Sequence, residues 1–147
     1  MKGKLLVAAQ FIILGALALS PNSGRATGPL IVIAALFLCA SVFLLVKSFR
    51  DLGDALTPLP ESKEGATLIT SGIYKHVRHP IYLALYLLSF GLILWKQSWQ
   101  SIAISILLIG LLFYKSRYED SLLLVKFPEA AKYQNATPAF FPRIRRG

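Results

Sequence analysis

The chain has 147 residues, 55 % of them hydrophobic and only 16 % charged, with a net charge of +9. Soluble domains carry about 25 % charged residues, and the apolar residues here fall in long uncharged runs. A soluble core is therefore excluded and an integral membrane protein is expected. The one cysteine, Cys39, excludes an intrachain disulfide framework and a cysteine-based zinc site.

Four apolar segments follow in chain order, at 5–19, 29–46, 81–95 and 99–114. A span needs about 20 apolar residues, so the first, third and fourth are short and rely on flanking interfacial residues. Segment one, with "MKGK" before it and "ALALS" near its end, also fits a signal sequence. A first transmembrane helix is the preferred reading. Trp95 and Trp99 bracket the polar turn "KQS", which predicts a helical hairpin of segments three and four with its tip at an interface. The predicted fold is an all-α membrane domain of about four transmembrane helices, one domain over 1–147. It comprises an N-terminal pair over 1–46 and a core over 47–147.

Charge sorts by side. Lys2 and Lys4, the 47–80 loop and the tail after Tyr114 hold fourteen of the 16 Lys and Arg residues and all 7 acids. The other side holds Arg25 and Lys96. The positive-inside rule places both termini and every group able to do polar chemistry at the cytoplasmic face. The net charge is thus a topology signal with some attraction to anionic headgroups, and no nucleic-acid partner is expected.

In the 47–80 loop, "DLGDALTPLPESKEG" reads as irregular after a short helical start, and "ATLITSGIY" as extended with a turn at Ser71-Gly72. Both histidines, His76 and His79, sit in "GIYKHVRHPIYL" (72–83), where Pro80 suits the first turn of helix three. That helix N-terminus, with Arg78 and His79 beside it, can hold a carboxylate or phosphate. The bland alternative is a pair of ordinary juxtamembrane cations with interfacial histidines. His76 and His79 alone make an incomplete metal site, so no metal is expected. At the end of segment four, "YKSRYED" puts Lys115 and Glu119 on one helical face and Arg117 on another. The tail's Phe140, Phe141, Arg143, Arg145 and Arg146 either lie on the headgroups or close over a site.

The two polar clusters together resemble the isoprenylcysteine carboxyl methyltransferase and phospholipid methyltransferase superfamily of membrane enzymes. The resemblance rests on "ATLITSGIYKHVRHPIYL" (66–83), with its Gly-x-Tyr-x-x-x-Arg-His-Pro-x-Tyr core. It rests also on Glu119-Asp120, Phe127, Tyr133 and "FFPR", and covers roughly residues 45–143. It implies S-adenosyl-L-methionine as methyl donor, held by Ala66, Thr67, Leu68, Ile69, Tyr74, Arg78, His79, Pro80, Tyr82 and Glu119. It implies Lys115, four residues before Glu119, as the cation that meets the acceptor, with Arg117 as the alternative. The chain departs from the family in having lysine there and in "FPEAA", where relatives have a glycine.

The expected function is a donor-dependent methyltransferase acting on a small lipophilic acceptor dissolved in the bilayer. Carboxyl O-methylation of an isoprenylcysteine-like compound comes first and N-methylation of a phospholipid amine second. A non-catalytic lipid-binding scaffold is the reading from another class. A nicotinamide-dependent membrane reductase has no Gly-x-Gly-x-x-Gly run to support it.

Overall fold

A computed structural model describes residues 2–24, 26–57, 59, 65 and 67–141, apart from the side chain of Asp54. Ala66 and the three tail arginines at 143, 145 and 146 lie outside the described residues. Among the described residues five helices follow one another: α1 (Lys2–Leu19), α2 (Gly28–Leu52), α3 (Pro80–Lys96), α4 (Trp99–Lys126) and α5 (Ala130–Ala136). Single 3-10 turns occur at Gly53–Ala55 and Gly72–Lys75. α1, α2 and α4 are long and apolar enough to cross a membrane, and α3 is a shorter apolar helix of 17 residues. The chain is an all-α integral membrane protein.

Helix ends follow local chemistry. α2 runs past the apolar segment to Leu52 and stops at Gly53, whose φ of 51 ends the helix from the left-handed region. α4 continues well beyond Tyr114 because no glycine or proline interrupts it before Pro128. Phe127, just before that proline, is extended at φ −122 and ψ 119. At 1.5 Å per residue α4 is about 42 Å long, more than a hydrocarbon core of about 30 Å. The helix is therefore long enough for its last turns, which carry Glu119 and Asp120, to extend past such a core. Thr67, Leu68, Ile69 and Thr70 form no strand; they are irregular and lead into the 3-10 turn at Gly72.

α3 packs most extensively on α2 and also on α4, and α1 packs on α4, so the bundle runs α2–α3–α4–α1. Buried positions recur every seventh residue: Gly3, Gln10 and Leu17 on α1, Ala34, Ser41 and Ser48 on α2, Ala84 and Gly91 on α3. A seven-residue period keeps one seam of a helix against its neighbour. Small residues on that seam let backbones approach, which matters where lipid removes the hydrophobic drive between helices. A Cβ on Gly91 would lie 3.2 Å from the Ala34 carbonyl oxygen and 2.8 Å from Leu38. Leu5, Ile12, Phe43 and Ile106 face outward.

One end of the bundle is closed by Lys96. Its Nζ donates to the carbonyls of Ala18 and Ser20 at 3.0 and 2.6 Å, satisfying the C-terminus of α1. Its own carbonyl accepts from the N–H groups of Ser23 and Gly24. The start of α1, the segment between α2 and α3, the end of α4 and α5 gather at the other end. Lys2 there stands 4.9 Å from the Tyr118 ring centroid.

Candidate active site

A cavity of about 360 Å³ opens at that second end. It lies at the small end of the range of ligand sites, about 300–1,000 Å³. Two kinds of residue line it. Thr67, Leu68, Ile69, Tyr74, Arg78 and Tyr133 come from the polar end of the bundle. Gln10, Phe11, Ile81 and Lys115 come from within the helices. His79, Pro80, Tyr82 and Glu119 lie on the wall as well.

The start of α3 organises the site. Pro80 is its first residue, where a missing N–H costs nothing, and His79 precedes it. The backbone N–H groups of Arg78 and His79 donate to the carbonyls of Pro138 and Ala139 at 2.9 and 3.0 Å, so the tail straps this entry. Phe140 follows the strap and packs on His79, Tyr86 and Phe113.

His79 is buried between two carboxylates. Its Nε2 is 3.0 Å from Asp120 Oδ1 and its Nδ1 is 3.3 Å from Glu119 Oε2. An ionised carboxylate only accepts hydrogen bonds, so both ring nitrogens must donate. Burial by itself disfavours the charged ring, yet the hydrogen bonds that the ring donates to Asp120 and Glu119, and the charge of those carboxylates, outweigh it and raise the His79 pKa. Arg78 Nη2 binds the second oxygen of Asp120 at 3.1 Å. Tyr82 donates to Glu119 Oε1 at 2.8 Å and stacks on the His79 ring at 5.4 Å between centroids. The Asp120 carbonyl accepts from Gln134 of α5.

A second set of contacts shapes the loop. Tyr133 donates to the Tyr74 carbonyl at 2.7 Å. The Tyr74 hydroxyl and Arg78 Nε are buried with no partner among the described residues. Burial, the largest influence, raises the Tyr74 and Tyr133 pKa values, so both phenols stay neutral donors. Asp51 Oδ2 accepts from the Ile73 N–H at 2.7 Å, and Lys47 pairs with its other oxygen. Gly72, at φ 57, sits so close that a Cβ would lie 2.3 Å from Asp51 Oδ2.

The sequence-derived residues separate here. Thr67, Leu68, Ile69, Tyr74, Arg78, His79, Pro80, Tyr82, Lys115 and Glu119 all line this cavity. Arg117 is exposed and does not line it, because it lies two residues round the helix from both Lys115 and Glu119. Arg78 and His79, expected as donors to a bound anion, are already engaged by Asp120 and Glu119. Gln10 escaped the sequence reading, and Asp120 was named there as part of the Glu119-Asp120 motif without a role in the site. Asp120 had a visible signal as the second acid of an adjacent pair. Gln10 is the one polar side chain of α1 between Lys4 and Ser20, and polar groups inside a span are functional by default. Among the described residues no group of three or more His, Cys, Asp or Glu side chains is placed to hold a metal.

The fold and site thus define a small helical membrane protein with an open, largely apolar cavity at one end, on whose wall Arg78, His79, Lys115 and Glu119 stand. The phospholipid methyltransferase family model matches residues 30–130, and the chain belongs to that family. It is similar to the cobalt-zinc-cadmium resistance protein CzcN of Cupriavidus metallidurans, 40% identical over 83 residues, 56% of this chain and 38% of that protein. It is also similar to the nickel-cobalt-cadmium resistance protein NccN of Alcaligenes xylosoxydans xylosoxydans, 37% identical over 83 residues, 56% of this chain and 39% of that one. The matched stretch thus covers under two fifths of the length of each curated relative.

Proposed function

We propose that the chain is an S-adenosyl-L-methionine-dependent methyltransferase acting on a lipophilic acceptor dissolved in the membrane. The leading chemistry is carboxyl O-methylation of an isoprenylcysteine-like compound. The observation that carries this reading is one cavity lined both by Tyr74, Arg78, His79, Pro80 and Tyr82 with Glu119 and by Gln10, Phe11 and Lys115 from within the helices. A soluble donor and a membrane-borne acceptor need such a two-faced pocket.

The residues fit the donor. Glu119 suits its ammonium or ribose hydroxyls, and the unpartnered Tyr74 hydroxyl and Arg78 Nε are donors for its carboxylate. When bound, it supplies a methyl group on a sulfonium, whose thioether leaves without protonation. The protein then mainly positions the two partners. His79 and Tyr82 hold Glu119 in place, and Asp120 holds His79. Lys115 orients an ionised carboxylate, which needs no general base. Phe11, Ile81 and Leu123 give the cavity an apolar wall against which a lipophilic acceptor can pack. The positive-inside rule supports a cytoplasmic position for this end of the bundle, with both termini on that side.

N-methylation of a lipid amine is the second reading, favoured by the family's description. The deciding experiment is calorimetric binding of S-adenosylhomocysteine to the full chain in detergent, with Glu119→Ala alongside. Binding to the wild type that is lost in the variant is expected. Absence of binding in well-folded wild type would move the chain to the non-catalytic scaffold reading. Mass spectrometry of products from a prenylcysteine and a phosphatidylethanolamine then separates the two chemistries.

A further inference from the structure

A second cavity, of about 540 Å³, runs up to the end of the bundle opposite the candidate active site. It is an open groove between α1 and α3, which touch each other only sparsely. Leu88, Leu92, Trp95 and Lys96 line it from α3, at the spacing of one helical face. Leu14 and Ala18, one turn apart, line it from α1, and Asn22 from the segment that follows. The lining is therefore graded. From Leu88 to Lys96 is about 12 Å along the helix, and over that distance leucines give way to an indole, a carboxamide and an ammonium. Lys96 Nζ donates to the carbonyls of Ala18 and Ser20, which leaves one of its three N–H donors unused among the described residues. Carbonyls hold an ammonium without neutralising it. No acidic residue occurs in 1–50 or 65–118, the stretches that build this end, so no carboxylate offsets the charge.

We propose that this groove binds one anionic phospholipid from the leaflet opposite the candidate active site. An acyl chain lies against Leu14, Leu88 and Leu92, and the phosphate meets Lys96, with the Asn22 amide and the Trp95 indole N–H as neutral donors beside it. Tryptophan and lysine at a helix end suit the headgroup level of a bilayer. Charge complementarity names the occupant. A neutral lipid would leave the spare ammonium donor without a counter-charge, and a soluble anion would leave the leucine stripe uncovered. The bound lipid fills the loose seam between α1 and α3 and so ties together two helices that also line the first cavity. The site lies outside the methyltransferase reading and depends on none of its steps.

Native mass spectrometry of the full chain in detergent tests this with two probes of identical acyl chains, dioleoyl phosphatidylglycerol and dioleoyl phosphatidylcholine. Wild type is expected to bind one phosphatidylglycerol about fivefold more tightly than phosphatidylcholine, the worth of one lysine beside an anionic headgroup. Lys96→Gln keeps N–H donors for the α1 carbonyls and removes the charge; it should bring the two lipids within about twofold. Ala18→Trp fills the groove and leaves Lys96 in place. It should remove the preference as well, and it covers the case in which Lys96→Gln does not fold. Lys115→Gln, at the other cavity, should leave the preference unchanged. The melting temperature of wild type should rise more with phosphatidylglycerol than with phosphatidylcholine, and that difference should vanish in Ala18→Trp. Equal affinity for the two lipids in wild type overturns the proposal. So does a preference that survives in folded Lys96→Gln or folded Ala18→Trp, or one that Lys115→Gln removes.

Discussion

His79 and Asp120 lie 41 residues apart in the chain and 3.0 Å apart in space, on opposite sides of the α3–α4 hairpin. The same carboxylate holds Arg78 through its second oxygen at 3.1 Å. One aspartate therefore fixes two consecutive residues at the entry of α3, and His79 in turn touches Glu119.

Asp120→Ala should accordingly damage both stability and the donor site. Its side chain is 11% exposed, and removing one partner of a largely buried pair costs about 3–5 kcal/mol. A clear fall in the melting temperature in detergent is expected, with weakened S-adenosylhomocysteine binding. Asp120→Asn keeps an acceptor and should lie between the two. A melting temperature unchanged in Asp120→Ala would show that the pairing contributes nothing.

The position of His79 predicts a pH dependence. Its folded pKa is raised above the ordinary 6.5, so the folded state binds the proton more tightly than the unfolded chain. The stabilisation is complete below about pH 6.5 and is lost as pH rises through the raised value. The melting temperature of wild type should fall more steeply from pH 6 upward than that of His79→Gln. Parallel curves would mean that the ring is not charged between its two acids.

Gly72 is required twice, for its φ of 57 and for the approach of Asp51. Gly72→Ala should destabilise the fold by about 1–3 kcal/mol. Part of that comes from the clash, so Gly72→Ala should cost less in an Asp51→Ala background. Thermal melts of the two single variants and the double variant test this, and strict additivity would argue against the shared cause.

Lys115 and Arg117 should behave differently although they are two residues apart. Lys115→Ala should spare S-adenosylhomocysteine binding and reduce turnover of an acidic acceptor. Arg117→Ala, on the exposed face, should change stability by less than about 0.5 kcal/mol and leave turnover alone. Turnover assays with a prenylcysteine compare them directly, and an equal loss in both would contradict the assignment.

Much of this was legible beforehand. Hydropathy located the apolar helices, and Trp95, Lys96 and Trp99 marked the hairpin turn. The length of α4 was less visible, since a hydropathy run ends where polar residues begin but a helix ends only where its backbone is interrupted, here at Pro128. Lys96 looked like a mere topology charge; its role in closing α1 depends on a carbonyl 78 residues earlier.

The sequence by itself determined that the chain is a membrane helix bundle and that its polar residues collect at one end. Hydropathy, helix breakers and charge bias act locally, and each can be read within a window of the chain. Tertiary structure alone decided which polar groups meet: Gln10 with Lys115 across 105 residues, Asp120 with Arg78 and His79, Asp51 with the turn at Gly72. Those pairings depend on which helices are neighbours and on the rotation of each about its axis. That rotation is set by the small-residue seams of the packed bundle, which no single segment contains.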